Sequence, residues 1–557
     1  MELKKLPVGI DDFKKMISQE YYYVDKTLLI KELIDLKGEV NLFTRPRRFG
    51  KTLNMSMLQY FLEISEENNK EIFSDLKIAR AGEQYMKYQG KYPVINLTLK
   101  GAKQANFEYA ILSIKRAISS EFQRHRKEVL KYEAEKDRVL KILDAEGDAG
   151  VYLDSIQLLS KCLYEYYQTP VIILIDEYDV PLENAYFRGF YDEMVSFVRS
   201  LFESALKTNK YLEFAVMTGC LRISKESIFT GLNNLEIISI LSVHYSEHFG
   251  FTEEEIDDML KYYGLEEKKE VIKDWYDGYL FGNTEVYNPW SIVRYVKDSY
   301  YGSHGFPISY WGTTSSNSIV RTMVEKANDL QTKSDLEMLM QGEEIEKPVH
   351  EDVTYDEIYN SMDNLWNFMF FTGYLKKVSE RFDDNGDHFI TLKIPNKEVA
   401  YIFRHKIMGW FQEMIQSRNL QDLYLAILSS DEAEVEQELK QLLRDTISYE
   451  DYNENFYHGF LLGCLSGMSD YYVKSNRESG DGRSDIIIRH PDFNEKAVII
   501  ELKCTANPRK MEDKCKEALN QIEVKHYDDE LIEEGYENIM KYGIAFCKKN
   551  CLVRVKK

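Results

Sequence analysis

The run Val40-Asn41-Leu42-Phe43 is followed by Thr44-Arg45-Pro46-Arg47-Arg48-Phe49-Gly50-Lys51-Thr52 and then by Leu53 to Leu62 at helical spacing. The order is strand, turn, Gly-Lys-Thr, helix. Phosphate chemistry needs that order: backbone N–H groups of a Gly50-containing turn around the phosphates, the Lys51 ammonium on the β- and γ-phosphates, the Thr52 hydroxyl on Mg²⁺, and a helix N-terminus behind them. The general pattern G-x-x-x-x-G-K-[ST] asks for glycine where this chain has Arg45. Arg45, Arg47 and Arg48 add charge to the nucleotide or reach a neighbouring subunit of a homo-oligomer; a solvated basic loop is the plain alternative.

A second stretch completes such a site. Val171-Ile172-Ile173-Leu174-Ile175 is apolar and rich in β-branched residues, and it ends in Asp176-Glu177. A buried parallel strand delivers acids to its C-terminal edge in this way. In a nucleotide hydrolase the first acid, Asp176, holds the Mg²⁺ shell, and Glu177 orients and deprotonates the attacking water. A further strand, Phe214 to Met217, ends in Thr218 and is followed by Gly219 and Arg222. Thr218 is placed to sense the γ-phosphate, and Arg222 to approach it.

A separate constellation lies near the C-terminus: Glu478, then Asp485 in Arg483-Ser484-Asp485-Ile486-Ile487-Ile488, then Glu501-Leu502-Lys503 at the end of the run from Ala497 to Leu502. The turn-rich Pro491-Asp492-Phe493-Asn494-Glu495 separates the two runs. A hairpin centred on Phe493 sets Asp485 opposite Glu501, and Glu501 and Lys503, two apart, share a face. Two carboxylates placed together are costly unless a cation compensates them. Mg²⁺ or Mn²⁺ does so with oxygen ligands, and Lys503 beside them suits attack of water on a phosphodiester. A surface ion pair is the plain alternative. His458, in Phe456-Tyr457-His458-Gly459-Phe460, opens the preceding helix; it either faces this site or serves the helix structurally.

The elements that must position these residues fall into three textures. Residues 1–245 alternate β-rich runs (Val40–Thr44, Pro93–Leu99, Val171–Asp176, Leu212–Thr218, Ile237–Ser242) with helix-length connections, which predicts an α/β domain with a parallel sheet flanked by helices. Residues 246–445 read as mostly helical, with aromatic knots at 275–282 and 286–290. Residues 446–557 read helix, strand, strand, helix, strand, a second α/β domain. A length of 557 residues suits about three domains, and 44% hydrophobic residues suffice for their cores. With 71 Lys and Arg against 93 Asp and Glu, the net charge of −22 excludes a generally basic nucleic-acid coat. Any nucleic acid then meets a confined groove near Arg483, Lys503 and Lys525.

The opening residues and the longest aliphatic run, Val171 to Ile175, fit neither a signal peptide nor a membrane span. Seven thinly spread cysteines argue against a disulfide framework and for the cytoplasm. Cys504, Cys515, Cys547 and Cys551 lack the paired spacing of structural zinc and read as buried thiols. The 40 tyrosines read as core and half-buried surface rather than as base-stacking platforms.

Six motifs in order resemble the prokaryotic AAA-ATPase-like family: Tyr22-Tyr23-Val24-Asp25-Lys26-Thr27, the loop from Arg45 to Thr52, Leu174 to Asp179, Ser227 to Asn234, Trp275-Tyr276-Asp277-Gly278-Tyr279, and Tyr287-Asn288-Pro289-Trp290. Arginine at position 45 is usual in that family. The resemblance covers about the first 300 residues and implies a P-loop ATPase fold using ATP and Mg²⁺, with the helical region continuing the family segment. The last 110 residues or so resemble the PD-(D/E)XK nuclease superfamily, in the branch often fused to this ATPase type. That resemblance implies that Asp485 and Glu501 bind metal and that Lys503 positions or activates water. It also makes Glu478 an additional acid and Gln521 the branch's glutamine. The expectation is an ATP-binding and ATP-hydrolysing protein coupled to a metal-dependent nuclease, acting on DNA in preference to RNA, with no membrane partner. In the alternative, a nucleotide-switched interaction protein carries a C-terminal domain that binds without cutting.

Overall fold

A computed structural model describes residues 3–207, 209–221, 228–229, 232–302, 305–312, 330–350, 361–403, 420–445, 454–465, 467–468, 470–479 and 482–556. These residues pack as two compact units. The first takes its members from 1–316 and 344–401, the second from 317–343 and 402–557. The units cut across the middle texture of the sequence, dividing 246–445 between them.

The first unit is built on five parallel strands, β1 (Val40–Thr44), β2 (Val94–Thr98), β3 (Val171–Asp176), β4 (Leu212–Gly219) and β5 (Leu235–Ile238), in the order β2-β3-β4-β1-β5. Every residue of β1 and β3 is buried. Burial on both faces removes the polar alternation of a half-exposed strand, and the one polar residue inside β1, Asn41, donates to the Gly38 and Ala215 carbonyls. The last strand runs Leu235–Ile238 rather than to Ser242.

The helices expected after the sheet are present at Glu253–Tyr263, Lys269–Tyr276, Pro289–Tyr300 and Met362–Phe371. The first carries a capping box, Thr252 with Glu255, and ends on Gly264 in a left-handed conformation. The mostly helical reading needs correction, because strands interrupt these helices. A two-stranded hairpin joins β6 (Tyr279–Phe281) to β7 (Thr284–Val286), and β8 (Ile345–Pro348), β9 (Lys376–Phe382) and β10 (His388–Lys393) form an antiparallel sheet in the order β8-β10-β9. Most of β9 is exposed and charged. Exposure of consecutive residues from Val378 to Phe382 leaves such a strand little apolar signal to distinguish it from a solvated helix.

The second unit holds a mixed sheet, β11 (Tyr472–Ser479), β12 (Gly482–Arg489), β13 (Ala497–Cys504), β14 (Ile539–Cys547) and β15 (Asn550–Lys556), in sequential order. Only β13 and β14 pair in parallel, and the helices Met511–Val524 and Asp529–Glu534 make their crossover. The order is therefore helix, three strands, two helices, two strands; β11 and the final hairpin were not resolved by the sequence reading. Ile486 and Ile488 pack with the helices Gln421–Ser429, Glu432–Asp445 and Glu454–Leu465, and Ile487 packs on the other side with Ile522 and Leu531. The unbroken Ile486-Ile487-Ile488 run follows from burial on both faces. No helix among the described residues is long and apolar enough to cross a membrane.

Candidate functional site

The phosphate loop lies between β1 and the helix Lys51–Leu62. Its reversal needs left-handed backbone at Arg48 (φ 74°) and Gly50 (φ 83°), the second of which glycine takes without steric cost. Lys51 is buried, and its Nζ donates to the carbonyls of Arg45 (2.8 Å) and Pro46 (2.9 Å), folded across the loop it opens onto. Phe49 anchors the loop from below against the rings of Tyr279 and Phe281, with centroids 5.0 and 5.1 Å away. The aromatic knot at 275–282 thus underlies the phosphate loop.

Strand order brings the acids to the loop. The Thr52 hydroxyl donates to Asp176 Oδ2 at 2.7 Å, and the Thr218 hydroxyl donates to Asp176 Oδ1. Thr218 is buried and sits at the end of β4, the strand inserted between β1 and β3, so it holds Asp176. Glu177 takes a left-handed backbone (φ 54°) and lines the cavity with Gly50, Lys51 and Thr52. Burial, and next the Asp176 carboxylate, raise its pKa above the ordinary value, which suits a proton acceptor.

Three residues outside the expected set shape this edge. Asp179 is buried and accepts from the backbone N–H groups of Cys220 (2.7 Å) and Leu221 (3.2 Å). Tyr178 donates from its hydroxyl to the Leu221 carbonyl at 2.5 Å. A side chain at Gly219 would meet the Tyr178 ring at 2.4 Å, so this close approach requires glycine. Lys100, just past β2, lines the cavity as well. The acid-rich Asp176-Glu177-Tyr178-Asp179 was a signal for Asp179; nothing local marked Lys100.

The cavity measures about 540 Å³, within the size range of small-ligand sites. Arg48 lines it, with its guanidinium 4.5 Å from the Trp290 ring centroid, and Arg47 lines it while paired to Glu183 at 2.6 Å. Arg45 does not. It is wholly buried, donates to the carbonyls of Thr44 (3.0 Å) and Ile238 (2.8 Å), and lies over the rings of Phe249 and Phe281. Burial pulls its guanidinium down to about 9. Neither a nucleotide contact nor a solvated loop describes it, because its side chain turns inward and ties β1 to β5. Arg222 lies outside the described residues.

In the second unit, β12 and β13 pair as Ile486↔Ile500, Ile487↔Ile499 and Ile488↔Val498, a register symmetric about Phe493. The next step of that register sets Asp485 against Glu501. Both share the face of Ile487 and Ile499, toward the helix Met511–Val524. Asp485 Oδ2 accepts from the Leu502 N–H at 2.8 Å, and Lys503 Nζ donates to Glu501 Oε1 at 3.1 Å. Glu501 is 1% exposed and its Oε2 is buried without a hydrogen-bond partner among the described groups. Burial, then the Asp485 charge, push its carboxyl up to about 7. An orphaned carboxylate oxygen facing a second acid is the donor set a hard divalent cation takes.

His458 reaches the strand from the opposite layer, with Nε2 2.9 Å from the Asp485 carbonyl oxygen, so it contacts the backbone of Asp485. Gln521 Nε2 donates to the Tyr527 hydroxyl at 3.2 Å. Glu478 pairs with Arg483 in the β11–β12 register, and the side chains of both lie outside the described residues. Lys525 is exposed at the end of the helix Met511–Val524.

Residues 7–229 match the family model described as predicted AAA-ATPase, and residues 452–556 match that of the PD-(D/E)XK nuclease superfamily. The chain thus carries the two segments in the order that the resemblances imply. An uncharacterized protein in the vnfD 5′ region of Azotobacter chroococcum mcd 1 is 28% identical over 300 residues, 53% of this chain and 52% of that protein. The chain spans about half the length of this curated relative.

Proposed function

We propose that the chain binds and hydrolyses ATP in the phosphate-loop cavity and that residues 446–557 form a Mg²⁺- or Mn²⁺-dependent phosphodiesterase acting on nucleic acid, DNA in preference to RNA. Residues 1–245 carry the nucleotide chemistry, and 246–445 continue that segment. The observation that supports the ATPase most is the convergence of Lys51, Thr52 and Glu177 on one cavity, with Asp176 bonded to the Thr52 hydroxyl. Lys51 would meet the β- and γ-phosphates, Thr52 and Asp176 would hold the cation, and Glu177 would take the proton of the attacking water. Thr218 keeps Asp176 aimed, and Arg48 adds charge along the phosphates.

The buried, unpartnered Oε2 of Glu501 supports the phosphodiesterase. Asp485 and Glu501 would hold the divalent cation, and Lys503 orients the nucleophilic water beside them. A bound cation supplies Lewis acidity at the phosphate and lowers the pKa of water. His458 steadies the Asp485 backbone, and Glu478 and Gln521 are accessory. The preference for DNA rests on the nuclease resemblance, and the thinly spread free cysteines support a cytoplasmic place of action, with a homo-oligomer as one arrangement of the chain.

The deciding experiment is a cleavage screen of single- and double-stranded DNA and RNA by the full chain, with Mg²⁺ or Mn²⁺, in the presence and absence of ATP. Metal-dependent scission of DNA is expected. If nothing is cut under any condition, the C-terminal segment binds without cleaving and the nucleotide-switch alternative replaces this reading.

A further inference from the structure

Lys100 lines the phosphate-loop cavity, yet no step of the ATPase reading uses it. It stands just past β2, on the short turn Lys100–Ala102. In the order β2-β3-β4-β1-β5, β2 flanks β3 on the side away from β1. Lys100 and the phosphate loop therefore approach the Asp176-Glu177 end of β3 from opposite sides. The pairing Thr98↔Asp176 and the Leu99 N–H on the Asp176 carbonyl, at 3.0 Å, bring the turn level with these acids.

The turn is fixed by three neighbouring elements. Besides β3, the helix Phe107–Arg124 contributes Ser113, whose Oγ donates to the Gly101 carbonyl at 2.7 Å. The helix Val180–Arg188, which follows the acids, contributes Asn184, whose Nδ2 donates to the Gln104 carbonyl at 2.7 Å. Leu99 and Ala102, on either side of Lys100, are buried. The Lys100 side chain is instead exposed and makes no ion pair among the described residues, whereas Arg47 on the same cavity is matched by Glu183. Its ammonium acts on Glu177: with Lys51 it opposes the rise in pKa that burial and the Asp176 charge cause.

Phosphoryl transfer spreads negative charge over the three equatorial oxygens of the γ-phosphoryl group, where a preorganised cation contributes to rate. Lys51 serves that group from the loop side alone. We propose that Lys100 is a catalytic cation supplied by the chain itself, its ammonium set against the γ-phosphoryl oxygens of ATP beside Glu177, in the place that some nucleotide hydrolases fill with an arginine from a partner. The inference rests on the ATPase reading. In the step, the water oxygen bonds to the γ-phosphorus, the bond from that phosphorus to the bridging oxygen breaks with its electrons passing to ADP, and Glu177 takes the proton. Lys100 keeps its own proton throughout and offsets the charge on the oxygens. ADP lacks the γ-phosphoryl group, so Lys100 contributes to turnover and little to ADP binding.

Steady-state ATP hydrolysis and calorimetric ADP binding by the full chain in Mg²⁺ test this. Lys100→Met is expected to lower kcat about 100-fold while the Kd of ADP stays within about two-fold of the parent, which also shows that the variant is folded. Lys103→Met removes the same charge from the same cavity and should keep kcat within about three-fold of the parent. A parent-like kcat in Lys100→Met, an equal loss in Lys103→Met, or ADP weakened as much as kcat is lowered overturns the role and leaves the ATPase reading standing. No hydrolysis by the unmutated chain overturns the ATPase reading and the role together.

Discussion

The Thr52 hydroxyl donates to Asp176 Oδ2 at 2.7 Å, closing a link between a helix N-terminus and a strand end that lie 124 residues apart in the sequence. The link crosses β4, which is inserted between β1 and β3 and contributes Thr218 to the other oxygen of the same carboxylate. On the function proposed above, a hydroxyl and an acid so joined would share a cation with little reorganisation.

Glu177→Gln should retain ATP affinity and lose turnover by about 100-fold or more, because the amide keeps the size of the side chain but cannot take a proton. Phosphate release and equilibrium binding on the same sample check this. Hydrolysis at the parent rate would remove Glu177 from the role of base. Lys51→Ala should instead lose binding itself.

Asp485→Ala and Lys503→Ala should each reduce Mg²⁺- or Mn²⁺-dependent cleavage to background while ATP hydrolysis continues near the parent rate. The two reactions draw on residues in different packing units. Parallel assays of scission and phosphate release decide it; equal loss of both activities would contradict separate sites.

Gly219→Ala should destabilise the chain by about 1–3 kcal/mol, since its new methyl meets the Tyr178 ring at 2.4 Å. It should also lower ATP turnover, because Thr218 precedes it and holds Asp176. Thermal unfolding with activity measured at low temperature separates the two effects. An unchanged unfolding midpoint would show that the Gly219–Tyr178 approach is relaxed in solution.

Glu398 is buried, accepts from Ser291 Oγ (2.8 Å) and the Trp311 N–H (2.9 Å), and is pushed by burial up to about 7, those bonds opposing the shift. Its folded-state pKa exceeds the unfolded value of 4.5, so its stabilising share is full below about 4.5 and is lost as pH rises through about 7. Glu398→Gln should therefore gain on the parent between pH 5 and pH 8, by on the order of 3 kcal/mol. Denaturant unfolding of both proteins across that range measures the gain. A stability difference independent of pH would refute the assignment.

What the sequence determined by itself is what local pattern carries. The unbroken apolar runs within β3, β12 and β13 announce strands buried on both faces, and Gly50-Lys51-Thr52 announces the turn into a helix. The register that sets Asp485 against Glu501 was legible because a hairpin's pairing is governed by its turn, here centred on Phe493. The strands β9 and β11 were not legible, since their charged and polar sequences carry no apolar period of two. Tertiary structure alone decided the partners that strand order supplies. It turned Arg45 inward to the Ile238 carbonyl, set Thr218 on Asp176, and brought His458 from the opposite layer to the Asp485 backbone. The reason is physical: a side chain's role depends on which distant groups its burial forces it to satisfy, and one segment's pattern does not specify its neighbours in the sheet.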